Sequence, residues 1–381
     1  MTQGNDPLTI GVVGCGNIAS TYLRNASLFP GTRIVCCADI NPEQAQNCAD
    51  EYGLDALTFD ALLARSDVEL VLNLTVPRAH AEISTAALRA GKHVYTEKPL
   101  GVSIDEGRRL LDEAKRAQRL IGSAPDTFLG AAGRRARQLI DDGLIGTPVA
   151  GTAFMLGRGM EHWHPDPAFY YQPGAGPLFD MGPYYLTMLV SLLGSVARVQ
   201  SLASSGQAER LITADGPLHN TRFPVETHTT VLSLLQFSSG AIVTFGTSWD
   251  VFRHTNHPIE IHGTKGSLRL PDPDTFGGTV SVSAHGAPWA HHDTRTCAYG
   301  EYNWPYDAPD RANYRMLAIA DMAAAIRAGE SVRASAQLAL HVLDVMDSIA
   351  QAASTGRAHD VSNSTERPAP LSESAADALS V

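Results

Sequence analysis

The sequence predicts an α/β chain in two parts: a doubly wound parallel sheet, then an α+β unit whose sheet is mostly antiparallel. Three observations carry this. Up to about residue 124, short apolar runs alternate with helical patterns, the rhythm of parallel βαβ units. The first run ends in a glycine-rich turn that opens a helix, "GVVGCGNIA". Beyond residue 124, strand-like stretches follow one another through turns of Gly, Ser and Pro, as antiparallel strands do.

Taken in order, "LTIGVVG" reads as a strand and is followed by a helix from about Asn17 to Phe29; "RIVCCAD" is the next strand, with a helix from about Pro42 to Tyr52. "VELVLNLTV" leads to a helix from Ala79 to Ala90 that Gly91 stops. Then come "HVYTE", a helix opened by Ser103, and "RLIGSA" as a sixth strand. Ser103 and Glu106 have the capping-box spacing, in which each side chain satisfies a free amide at the helix start. A helix reaching Asp142-Gly143 introduces "PVAGTAFML", "ETHTTVLSLLQF", "GAIVTFGTSWD", "IEIHGTKGSLRL" and "GTVSVSA". Late helices are expected over Tyr314 to Ala328 and Ala334 to Ala353. The expected domains are 1–124 and 125–358, with the polar, proline-containing 359–381 as a loose tail.

A chain of 381 residues is long enough for two full cores. Its 29 basic against 40 acidic residues, net −11, argue against a nucleic-acid surface and against anionic lipid, so a small molecule is the expected partner. The five cysteines have no metal-ligand spacing along the chain, and the adjacent Cys36 and Cys37 lie in an apolar run, which suits a reducing compartment. The start, "MTQGNDPLTI", lacks a basic region followed by a long apolar one, and no apolar run approaches a membrane span. A cytoplasmic location is expected.

Gly14, Gly16 and Ala19 stand in the G-x-G-x-x-A arrangement at the end of the first strand. In such a turn the first glycine permits the tight bend, the second lets the backbone approach a pyrophosphate, and the third position packs helix on sheet. Asn17 and Ile18 open that helix. Asp39 closes the second strand about 20 residues on, where a carboxylate accepts from the ribose 2′-OH. Ile40 and Asn41 follow it rather than an arginine, so a 2′-phosphate would meet uncompensated negative charge; NAD is favoured over NADP. Thr75 and Pro77 lie where a doubly wound sheet presents a ligand-facing loop, and His80 is either a cofactor contact or a surface residue at a helix start.

In "VYTEKPLG" a lysine stands between a glutamate and a proline where an apolar strand ends. A half-buried lysine there needs a partner or a task. Asp180 and Tyr184, in "GAGPLFDMGPYY", are one helical turn apart; Asp180 reads as the N-cap, with Pro183 near the first turn. If that face meets the lysine, Lys98, Asp180 and Tyr184 form one acid/base cluster. An adjacent ammonium would lower the tyrosine pKa and burial would lower that of the lysine, so either is expected to carry a proton.

These residues together, "EKP" after a G-x-G-x-x-A domain and "GAGPLFDMGPYY" heading a sheet-rich one, resemble the Gfo/Idh/MocA oxidoreductases of the glucose-fructose oxidoreductase and inositol dehydrogenase kind, over roughly residues 8 to 355. The resemblance implies a Rossmann domain followed by an α+β domain with a large open sheet. It also implies that Glu97-Lys98-Pro99 supplies the catalytic lysine, with Glu97 and Lys98 near the cofactor, and that the glycine-rich segment borders a sugar pocket. Many members have histidine four residues after the aspartate; this chain has Tyr184.

"GRGMEHWHPDPAFYY" gathers Arg158, Trp163 and His164, and an aromatic face with a few fixed donors suits a sugar. Asp126, after the sixth strand, either touches substrate or nicotinamide or only caps the helix that follows. No metal centre is expected. A sheet face half covered with Val, Leu and Phe suggests a homo-oligomer, a dimer or tetramer, built through it. The function expected is an NAD-dependent dehydrogenase acting on a sugar, glycoside or cyclic polyol. The alternatives are a redox-neutral glycosidase or epimerase that oxidises transiently, and a non-catalytic NAD sensor.

Overall fold

The computed structural model describes residues 6–380. The first half builds β1 (Leu8–Val13), α1 (Asn17–Asn25), β2 (Thr32–Ala38), α2 (Pro42–Tyr52), β3 (Asp55–Leu57), α3 (Phe59–Ala64), β4 (Leu70–Asn73), α4 (Pro77–Arg89), β5 (His93–Thr96), α5 (Ile104–Ala117) and β6 (Ile121–Ser123). All six strands are parallel in the order β3-β2-β1-β4-β5-β6, the doubly wound Rossmann topology. Within this sheet the strand not quoted from sequence is β3, whose three residues are too few to show a period. Ser103 caps α5 as expected by accepting from the Glu106 amide, whereas Glu106 reaches past it to the amide of Val102.

The second half continues with α6 (Ala131–Asp141), β7 (Pro148–Leu156), α7 (Pro177–Leu193), β8 (Val196–Ser204), β9 (Glu209–Leu211), β10 (Arg222–Pro224), β11 (Thr230–Phe237), β12 (Ile242–Ser248), β13 (Ile259–Gly263), β14 (Gly266–Leu270), β15 (Thr279–Ala284), β16 (Ala290–Asp293), α8 (Leu317–Ala328), α9 (Ala336–Thr355), β17 (His359–Asp360) and α10 (Glu373–Asp377). Nine strands form one sheet, β16-β15-β14-β13-β7-β12-β11-β8-β17, antiparallel except where β7 runs parallel to β12. In β11 buried and exposed residues alternate: Val231 and Leu235 enter the core with Val243 and Phe245 of β12, while Leu232 and Leu234 face outward. α7 and α9 cover the inner face; α7 is buried along almost its whole length.

After the large sheet the chain returns to the Rossmann half. Asn25 donates its side-chain amide to the Asn313 carbonyl, the Ser123 amide donates to Ala334, and Gly107 of α5 packs so closely on Leu340 of α9 that an added Cβ would stand 2.8 Å from it. The chain from Asn313 to Leu340 thus ties the second half to the first at several points.

The expectation of a loose tail is corrected. β17 pairs with β8, Leu371 and Ala376 are buried, and Glu373 accepts from Arg134 at 2.9 Å. A polar composition concealed a few apolar anchors. No helix among the described residues is long and apolar enough to cross a membrane.

Candidate functional site

The cofactor end lies at the carboxyl ends of β1 and β2. Gly14 has φ +97°, and a Cβ there would lie 2.7 Å from the backbone of Leu74, so only glycine makes this turn. A Cβ on Gly16 would meet nothing within 4 Å, and no side chain caps α1, so the first-turn backbone of Asn17 and Ile18 faces an open approach. Asp39 is held at the tip of β2 by the amides of Cys15 (2.8 Å) and Asn41 (2.9 Å), which leaves carboxylate lone pairs for ribose hydroxyls. This cradle fits a dinucleotide: a backbone that permits close approach, a helix start without a side-chain cap and an acid beyond it.

Gly14, Thr75 and Lys98 follow the ends of neighbouring strands β1, β4 and β5, and Asp39 follows β2. Asp39 and Lys98 are thus three strand spacings apart, about 14 Å. Thr75 donates amide and hydroxyl to the Asn73 side chain, and Pro77 begins α4. His80 is neither a surface residue nor open to cofactor: it is 1% exposed, with its ring nitrogens against the carbonyls of Pro99 (2.7 Å) and Thr75 (2.9 Å). It clamps the end of β4 to the loop that carries the lysine. Glu97, also buried, accepts from the Tyr22 hydroxyl at 2.7 Å and from the Lys98 amide at 3.0 Å.

Lys98 meets α7 across the crevice. Its Nζ donates to the Asp180 carbonyl (2.7 Å) and to Asp180 Oδ1 (2.9 Å), and lies 5.4 Å from the centre of the Tyr184 ring. Asp180 is not the N-cap and Pro183 is not at the helix start. The helix is opened by Gly176, whose φ of +93° suits glycine alone, with Pro177 at the first position; Pro183 lies inside. The carboxylate of Asp180, a turn further in, is thereby released from capping and faces Lys98.

The pKa directions reverse the sequence expectation. Burial pulls Lys98 down, but the charges of Asp180, Tyr184 and Glu97 outweigh it, and the net shift is upward. Tyr184 also rises: burial and Asp274 push it up, outweighing the downward pull of Arg315 and Lys98. Both directions favour the ammonium form of Lys98 and the neutral phenol of Tyr184.

Residues 8–124 match the family described as "Oxidoreductase family, NAD-binding Rossmann fold", and residues 134–269 match the GFO/IDH/MocA C-terminal domain. The chain belongs to the GFO/IDH/MocA oxidoreductases. Its cofactor is NAD. A levoglucosan dehydrogenase from Pseudarthrobacter phenanthrenivorans is 26% identical to this oxidoreductase over 290 residues, 68% of this chain and 73% of the relative. A 1,5-anhydro-D-fructose reductase from Ensifer adhaerens is 25% identical over 358 residues, 92% of this chain and 98% of the relative. A solved levoglucosan dehydrogenase in complex with NADH shares the fold, with a TM-score of 0.79 at 24% identity over 93% of this chain and 99% of that one.

Two residues of the oxidoreductase's cluster escaped the sequence reading. Arg315, delivered by the returning segment, donates to the Tyr184 hydroxyl and to Asp274, both at 3.1 Å. A guanidinium only donates, so the Tyr184 oxygen accepts here and its own proton is left for another acceptor. The one available signal was an arginine at the head of an apolar helix in "NYRMLAIA". Asp126, 1% exposed, does not cap the helix after it with its side chain; its carboxylate accepts from the Ala318 amide at 3.2 Å and so caps the start of α8. Burial, opposed by Arg315, lifts its pKa to about 6.

His164 joins Trp163, Phe169 and Tyr170 in an aromatic group. The Tyr170 carbonyl accepts at 3.0 Å from the amide of Gly176, which opens α7, so this group lies beside the helix that carries Asp180 and Tyr184. Arg158 does not: it is exposed at the end of β7, its guanidinium 5.9 Å from the Phe252 ring.

Proposed function

We propose that this oxidoreductase transfers a hydride between NAD and a secondary hydroxyl or ketone of a sugar, glycoside or cyclic polyol, with Lys98 as its central acid/base residue. The observation that supports this most is the seat of Lys98 Nζ, held by Asp180 at the mouth of the sheet with two of its three N–H donors engaged. The third donor is left for the substrate oxygen. When bound, the nicotinamide supplies the hydride acceptor. Because the lysine stays charged, it stabilises a developing alkoxide and protonates it in the reducing direction; in the oxidising direction it must first lose its proton, so oxidation is favoured at alkaline pH. Asp180 fixes the lysine, Tyr184 relays the proton from a hydroxyl that Arg315 orients, and Trp163, His164 and Tyr170 offer an aromatic wall to the C–H face of a ring. Relatives named levoglucosan dehydrogenase and inositol 2-dehydrogenase, the latter 33% identical over 147 residues, support the substrate class. For the outward face of the large sheet, the partner we infer is a second copy of the chain.

The test is a panel of free sugars, anhydrosugars, inositols and glycosides incubated with NAD at rising pH, with NADH absorbance and product mass read together. At least one compound is expected to lose two mass units as NADH appears. A product without net NADH would point to the redox-neutral cycle, and no product from any class would overturn the reading.

A further inference from the structure

The chain scatters its cysteines with no ligand motif, yet the fold gathers three of them. Cys15 comes from the loop after β1, Cys37 from β2 and Cys48 from α2, and their sulfurs all lie within 4.8 Å of one another. All are free thiols; Cys37 and Cys48 are buried and Cys15 is half-buried. Cys36 points to the opposite face of the sheet, into a separate core cluster, so the grouping belongs to one face only.

We propose that Cys15, Cys37 and Cys48 form a three-coordinate thiolate site for a soft, thiophilic cation, cuprous copper. Sulfurs bound at about 2.3 Å around a trigonal ion stand about 4 Å apart, so the cluster needs to contract by less than about 1 Å. No histidine or carboxylate joins it among the described residues. Three thiolates without a fourth ligand suit cuprous copper better than zinc, which takes four. At present the thiols make only weak contacts, Cys15 to the Ala38 carbonyl at 3.7 Å and Cys37 to the Ala45 carbonyl at 3.4 Å. Cys15 directly precedes Gly16, which opens α1, so the negative charge of the thiolates lies at the positive end of a helix. Loading exchanges up to three thiol protons for one ion and ties loop, strand and helix together.

The test is an anaerobic titration of the reduced full-length protein with cuprous ion held by a coloured competing chelator. One equivalent is expected to leave the chelator, with a thiolate-to-copper absorption band, proton release in weak buffer and a raised melting temperature. Cys36→Ser is expected to bind as the wild type does. Cys37→Ser and Cys48→Ser are each expected to lose more affinity than the roughly 100-fold that loss of an outer-shell partner costs. Cys15→Ser, on the half-buried loop, gives the same reading if a core variant fails to fold. Copper that stays with the chelator, or binding that survives in Cys15→Ser or Cys48→Ser, overturns the site.

Discussion

At the scale of single residues, several charges share one crevice, with Lys98, Asp180, Arg315 and Asp274 all partly buried in it. Asp126 shows the sign most plainly. Its folded pKa is raised to about 6 by burial, above the unfolded value near 4, so it favours folding most below about pH 4 and that contribution is lost as pH rises through about 6. Asparagine keeps the acceptor for Ala318 and does not titrate. Denaturant melts of Asp126→Asn and wild type are therefore expected to diverge in favour of the variant by up to about 3 kcal/mol between about pH 4 and pH 7; parallel curves would contradict the assigned burial cost. Lys98 and Asp180 were legible in the sequence because one ends an apolar strand and the other heads a glycine-rich helix. Arg315 and Asp274 were not, since they join the cluster from more than 90 residues beyond Asp180 and no local pattern records that contact. The pKa directions were misjudged for the same reason: they are sums over neighbours that only the fold brings together.

At the scale of elements, what the sequence showed was periodicity, and what it hid was anchorage. α2 has its expected bounds because Pro42 sits at its first position and Gly53, at φ +68°, ends it. α7 was placed correctly and its start misplaced, because Asp180 is a better generic cap than Gly176 and the positive φ that decides the matter comes from packing: a Cβ on Gly176 would stand 2.9 Å from the His228 carbonyl. The tail is the larger lesson. Residues 359–381 lack a period, yet β17 extends the sheet and Leu371 is 6% exposed. Deleting 359–381 is expected to cost about 3 kcal/mol or more, the scale of losing a buried leucine, and to bare the buried Arg134 that Glu373 now faces. An unchanged melting temperature after deletion would show that the tail is dispensable.

At the scale of the whole molecule, two sheets are joined by a returning segment, and each leaves one feature outward. On the large sheet Leu202 (75% exposed) pairs directly with Leu232, and Leu234 and Ile242 flank them. Apolar groups in register on an open face are expected to meet a second copy, so sedimentation should give an oligomer that the double change Leu202→Asp and Leu232→Asp converts to a smaller species; a wild-type monomer at micromolar concentration would contradict it. On the parallel sheet the outward feature is the end of β5, where the two halves meet at Lys98 and Asp180. The most direct measurement of that meeting is a single turnover of Lys98→Met with substrate and NAD, beside the variant's NADH affinity. The account predicts hydride transfer slowed by about 100-fold or more with NADH bound as tightly as before; transfer at the wild-type rate would contradict it.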